Sequence, residues 1–284
     1  MQKQKKLYGS SRFAVWCGCL FAIFAITTTA RGQGRAPAAT PPLSPKAAAV
    51  IDITGYWVAI VNEDWPYRMI TPAKGDYLRA IPLNAEGRRV AGLWDPEKDK
   101  AEGNECKAYG AGGIMRLPGR LHITWADEKT MQMDIDAGMQ KRIFHFDDTQ
   151  WPGGDPQLQG FSVAKWEKQL QKRADPFFGG PAPGKGGDMK VVTTHMRPGY
   201  LEKNGVPYSG NATLTEYYDL VDLHGTAYLI MTSIFIDPMY LRDPFVMSQQ
   251  YRREPDASKW NPTPCQPLWP ITLQKKINPG NGDF

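Results

Sequence analysis

From Leu121 to Phe146 apolar and polar residues alternate with a period of two. Leu121, Ile123 and Trp125 are separated by His122 and Thr124, and Met131, Met133 and Ile135 by Gln132 and Asp134. Asp127-Glu128-Lys129 and Ala137-Gly138 break the pattern as turns, and Met139 to Phe146 completes it. A period of two places one set of side chains on one face of a pleated strand, so three successive antiparallel strands with one buried face are predicted. The same grammar recurs at Gly55 to Val61, Phe161 to Trp166, Met189 to Met196, Ala212 to Val221, Thr226 to Ile236 and Phe245 to Arg253. Lys203-Asn204-Gly205 and Leu223-His224-Gly225 read as turns, and apolar residues on both faces of Thr226 to Ile236 place that strand centrally. Asn84 and Asp95-Pro96 are positioned to cap two short helices. Eight or nine strands in sequential antiparallel order, without βαβ spacing, define a mainly β chain. Closing the meander into a barrel or a strongly curved sheet removes its exposed edges, and a two-sheet sandwich is the alternative.

The ends of the chain have a different composition. Lys3 to Arg12 is basic, Phe13 to Ile26 is a 14-residue run without charge, and Thr27 to Ala30 is small. This order predicts a signal peptide over residues 1–30, cleaved after Ala30 or Gly32. The run is short of the roughly 20 residues of a spanning helix, so no stable membrane span is expected after cleavage. Residues 31–51 are rich in Pro and Ala and predict a linker to a domain spanning 52–255, followed by a Pro-rich tail over 256–284. Within the domain, residues 168–187 run from a charged stretch into Gly179 to Gly187 and predict a flexible insertion. The chain carries 34 Lys and Arg against 29 Asp and Glu. Lys3, Lys5, Lys6 and Arg12 account for nearly all of the excess, which excludes a basic nucleic-acid surface on the mature domain.

Beyond the signal segment only Cys106 and Cys265 remain. In an exported chain two such thiols predict one disulfide, which closes a long loop and ties the Pro-rich tail to the domain. Neither has a CxxC partner, which argues against a redox or metal role.

No motif names a reaction, a metal site or a cofactor. His122, His145, His195 and His224 show no metal-binding spacing, and Gly179 to Lys185 matches a phosphate loop without its Ser or Thr and without a flanking strand and helix. Glu216 falls between Leu214 and Tyr218 on an apolar strand face, where an unpaired carboxylate costs several kcal/mol, so a partner such as Arg197 or His195 is expected. Trp57, Trp125, Trp166, Tyr218, Tyr228 and Met231 are candidates to line an apolar pocket, with His195, Arg197 and Glu216 as polar candidates.

The elements Gly160 to Glu167, Lys190 to Leu201, Asn204 to Ser209, Leu214-Thr215-Glu216 and Asp237 to Leu241, with Ile53 to Trp57 as an opening strand, resemble an uncharacterised group of exported bacterial β-rich proteins. The strand-turn grammar also resembles lipocalin-like barrels, with Gly55 and Trp57 standing for part of their opening motif. The resemblance implies a lipocalin-like barrel and a periplasmic or extracellular location, and implies no catalytic residues. The resulting expectation is binding of a small apolar molecule in a barrel pocket. A non-metal hydrolase or isomerase using His195, Glu216 and Arg197, or a protein-interaction module, are the alternatives.

Overall fold

The computed structural model describes residues 41–147, 149–168, 187–267 and 269–270. The expected signal peptide, the linker as far as residue 40, residues 169–186 of the expected insertion and the tail beyond 270 lie outside the described residues. The chain divides into two compact units, Met1–Pro41 and Pro42–Phe284, and every described strand and helix belongs to the second.

The strands are β1 (Gly55–Ile60), β2 (Arg120–Trp125), β3 (Thr130–Ile135), β4 (Ala137–Gly138), β5 (Gln140–His145), β6 (Phe161–Lys168), β7 (Gly187–Thr194), β8 (Gly199–Glu202), β9 (Val206–Tyr208), β10 (Thr213–Leu223), β11 (Thr226–Ile236), β12 (Phe245–Glu254) and β13 (Thr263–Pro264). Three short helices, α1 (Trp65–Met69), α2 (Ala85–Ala91) and α3 (Pro96–Ala101), interrupt the long excursion between β1 and β2. Nine strands form a closed barrel in the order β1-β12-β11-β10-β7-β6-β5-β3-β2, with β2 returning to β1. Closure leaves no barrel edge with unpaired backbone groups. One seam departs from the expected antiparallel order: β5 and β6 pair in parallel, over only Phe144↔Ser162 and His145↔Val163. The intervening residues cross from one end of β5 back to the start of β6 instead of turning as a hairpin. The barrel is therefore mixed.

Local chemistry explains the elements. The Asn84 side chain accepts from Gly87 N and that of Asp95 from Glu97 N, capping α2 and α3. His224 and Gly225 both adopt positive φ, 53° and 79°, giving the tight turn between β10 and β11. Gly205 (φ 87°) turns β8 into β9 with its backbone against Trp94, where a Cβ would collide with the indole.

Inward-facing residues alternate along the strands and form one core with Trp57, Leu121, Ile123, Met131, Met133, Ile135, Phe144, Val191, Tyr218, Leu229, Met231 and Tyr251. Tyr109, Ile114 and Met115, from the β1–β2 excursion, join this core, and the Tyr251 hydroxyl donates to Met115 O at 2.8 Å. A second cluster packs Leu78, Ile81 and Leu83 against Leu201, Val206, Phe235 and Phe245. At the far end of β2, the rings of Trp125, Phe146 and Trp166 pack against one another at tilted angles, 5.2 to 6.4 Å apart, and Trp166 Nε1 donates to Pro45 O at 2.7 Å. Part of the expected linker is thus docked: Lys46 N also donates to Glu128 O at 3.0 Å. Lys168 and Gly187, the ends of the expected insertion, pair across β6 and β7.

Candidate functional site

The barrel lumen holds a buried ion pair. Arg142 on β5 and Glu216 on β10 face each other with both side chains sealed from solvent. Arg142 Nη1 donates to Glu216 Oε1 at 2.7 Å and Nη2 to Oε2 at 2.5 Å. Nη2 also donates to Thr193 Oγ1, the Tyr218 hydroxyl donates to Glu216 Oε1 at 3.1 Å, and Ser162 Oγ lies 2.8 Å from Thr193 Oγ1. Burial alone would lower the Arg142 pKa, but the facing carboxylate outweighs it and raises the value. Desolvation, followed by the charge of Glu216, holds the Tyr218 hydroxyl well above its ordinary range. The chemistry is that of a closed bidentate pair, with both carboxylate oxygens engaged.

This arrangement places the sequence candidates. Trp57, Tyr218, Met231 and Glu216 face the lumen and are packed, with Trp57 Nε1 donating to Ile53 O and the Arg253 guanidinium over its ring. Trp125 and Trp166 belong to the aromatic end cluster. Tyr228 is one strand position off the inward parity of Leu229 and Met231, so it lies on the outer face and is not grouped with them. His195 is exposed at the end of β7 with φ 53°, stacked on Trp151, its Nδ1 2.8 Å from Thr194 Oγ1. Arg197 is exposed as well. The expected meeting of Glu216 with Arg197 or His195 does not occur, because β10 register sets Glu216 opposite Val191 and Ser233, well inside the strand end that carries His195. Its partner is Arg142, which shares inward parity with Phe144; the alternation that marks Glu216 on β10 marks Arg142 on β5.

The other histidines are also separate. His122 stacks on Tyr56 at 4.1 Å and His145 on Phe161 at 4.9 Å. Among the described residues no three His, Cys, Asp or Glu side chains are grouped to hold a metal ion. Cys106 and Cys265 form a disulfide spanning 159 residues, which draws the tail onto the domain beside the short β13–β4 pairing.

A cavity of about 720 Å³ lies outside the lumen, lined by Val58, Ala59 and Val61, by Trp65 and Met69 of α1, by Pro118, Gly119 and Arg120, and by Asp136, Ala137, Asn261 and Thr263. The i,i+4 spacing puts Trp65 and Met69 on one helix face, and they are 59% and 53% exposed. α1 is short, but Arg68 anchors it: its buried side chain donates through Nε to Arg116 O at 3.0 Å and through Nη1 to Ile60 O at 3.4 Å. On the polar side, Arg120 N donates to Asp136 Oδ1 at 2.7 Å and Arg120 Nε to Glu254 Oε2 at 2.8 Å. Burial raises the Asp136 pKa, against the lowering effect of its backbone hydrogen bonds. Periodicity could not reveal this groove, since α1 spans barely more than one turn and its other walls come from β1, β2 and the tail.

A third cluster occupies the β8–β9 turn. Glu202 is buried, with Oε2 accepting from Leu78 N and Oε1 without a partner among the described residues; desolvation pushes its pKa up to about 7. Desolvation likewise pulls Lys203 down to about 8. Lys203 borders a space of about 20 Å³, enough for a single water and too small for a substrate.

No protein-family model matches the chain, and no curated protein is recognisably similar to it.

Proposed function

We propose that the protein is exported and binds a small, largely apolar molecule, and that the binding surface is the groove under Trp65 and Met69 instead of the barrel lumen. The observation that carries the reading is two large apolar side chains more than half exposed on one wall of a concave space of about 720 Å³. That volume falls within the usual range of ligand sites, which combine apolar walls with a few polar groups. The lumen carries the reading less well, because Arg142 and Glu216 are paired there and its apolar residues pack on one another, although Arg142 Nε, Ser233 Oγ and Gln249 Oε1 have no hydrogen-bond partner among the described residues. The disulfide and the order of the first thirty residues support export, as does the likeness to exported β-rich proteins. The lipocalin-like reading of the strand-turn grammar is kept as part of the proposal, with the ligand moved from the lumen to the wall.

The test is a fluorescence titration with N-phenyl-1-naphthylamine, a neutral apolar probe. Covering Trp65 and Met69 stabilises a complex by about 1.5–3 kcal/mol each at full burial. Trp65→Ala should therefore weaken binding roughly tenfold or more, while Met231→Leu in the lumen leaves it unchanged. Absence of binding, or binding indifferent to Trp65→Ala, removes the proposal.

A further inference from the structure

The polar side of the same groove specifies the ligand further; this step rests on the groove being the binding surface. Val58 lies at the groove, and its direct cross-strand partners are Arg120 on β2 and Arg252 on β12. Residues directly opposite in neighbouring strands project to the same face, so β1 carries one apolar residue here with a guanidinium on either side. Two carboxylates share this region, and each is committed. Glu254 accepts from Arg120 Nε, and Asp136 accepts from the backbone N–H of Arg120. Arg120 is 25% exposed, and its two terminal nitrogens have no hydrogen-bond partner among the described residues. Arg252 is exposed and has no ion pair among them. What the groove leaves unsatisfied is thus the end of Arg120 at one side, with Arg252 beside Val58 just outside the lining, and apolar surface, Val61, Trp65, Met69 and Pro118, at the other.

We propose that the ligand is an amphipathic monocarboxylic acid. Its carboxylate is taken by the end-on fork of Arg120, assisted by the charge of Arg252, and its hydrocarbon part lies under Trp65 and Met69. The fork geometry suits a carboxylate, which accepts two parallel N–H bonds. Arg120 is the specificity-determining residue, and Arg252 adds positive charge from beside the groove. Glu254 positions Arg120 by holding Nε.

Calorimetric titration of decanoate and of decanol into the full-length mature protein tests this at neutral pH. Decanoate should bind at least tenfold more tightly than decanol, and the preference should weaken as salt is raised. Arg120→Gln should abolish the preference while decanol still binds. Arg252→Gln, at an exposed position that leaves the Arg120–Glu254 pair intact, should reduce it severalfold. Arg120→Gln combined with Glu254→Gln removes the stranded carboxylate and guards against loss of fold. Equal binding of acid and alcohol, or a preference that survives both arginine substitutions, overturns the carboxylate assignment and leaves the apolar groove standing. Failure of both ligands to bind overturns the groove itself.

Discussion

Arg142→Met isolates the energetic role of the lumen pair. The substitution keeps an unbranched but shorter apolar side chain inside the barrel and strands Glu216 with the Tyr218 hydroxyl as its remaining hydrogen-bond donor on Oε1. Removing one member of a buried, hydrogen-bonded ion pair costs on the order of 3–5 kcal/mol, most of it the penalty of leaving a charge without its counterion. Replacing both members with apolar side chains is close to neutral, because the desolvation of both charges disappears together. Arg142→Met should therefore lose about 3–5 kcal/mol at pH 7, and Arg142→Met with Glu216→Leu should recover most of that loss. A stranded buried carboxylate relieves its penalty by taking a proton. The deficit of the single variant relative to the parent should thus be largest at neutral pH and shrink on acidification. Urea unfolding followed by circular dichroism at pH 7 and pH 5 measures all three quantities. A single variant within about 1 kcal/mol of the parent, or a double variant no more stable than the single, would refute the claim that the pair is coupled and sealed.

Glu202 makes stability depend on pH with a defined sign. Its folded pKa of about 7 lies above the ordinary 4.5, so its contribution is fully present below about pH 4.5 and is lost as pH rises through 7. The loss amounts to about 3 kcal/mol, and Glu202→Gln should match the parent at about pH 4.5 and exceed its urea midpoint at about pH 8; a difference that does not grow with pH contradicts the assignment. The Cys106–Cys265 bridge closes a loop of 159 residues, so Cys106→Ser with Cys265→Ser should lower stability by up to about 5 kcal/mol. The purified domain should show no reactive thiol at Cys106 or Cys265 on denaturation until a reductant is added.

How far the sequence specifies this molecule depends on the range of the interactions involved. Thr226 to Ile236 is legible to the residue because alternation and the turn at His224-Gly225 are local and agree with each other. α2 and α3 are legible from Asn84 and Asp95 because capping is settled within three residues. β8 and β9 are visible in sequence only as the turn at Lys203-Asn204-Gly205, since strands of four and three residues hold too few positions for alternation to register. The parallel β5–β6 seam is not legible: a two-pair contact across a long connection leaves no periodic mark. Glu216 is recognisable as a buried carboxylate from its strand face, but the choice of partner requires knowing that β5 and β10 face each other across a closed barrel. Arg197 and His195 are nearer in sequence and of suitable charge. They lie at the strand end, whereas Arg142 lies 74 residues away, opposite the carboxylate.

The same closure bears on why the proposed binding surface lies on the wall. A lumen that receives a guest must keep unfilled space and at least one end open. Here Arg142, Glu216 and Tyr218 bond to one another across the interior. Tyr109, Ile114 and Met115 enter the core from the β1–β2 excursion, and the Trp125–Phe146–Trp166 cluster meets Pro45 at the other end. The pair also resists slippage of β10, because a shift of one residue would carry Glu216 to the outer face and Tyr217 inward. The lumen thus specifies register, and the proposed recognition surface is where the barrel is least regular. That place is where the chain leaves β1 at Ile60 and re-enters at Arg120. There the excursion supplies Trp65 and Met69, and the barrel strands supply Val58 between two arginines. Neither element makes a site alone. The groove exists because Arg68 fixes α1 to both ends of the excursion, through Ile60 O and Arg116 O.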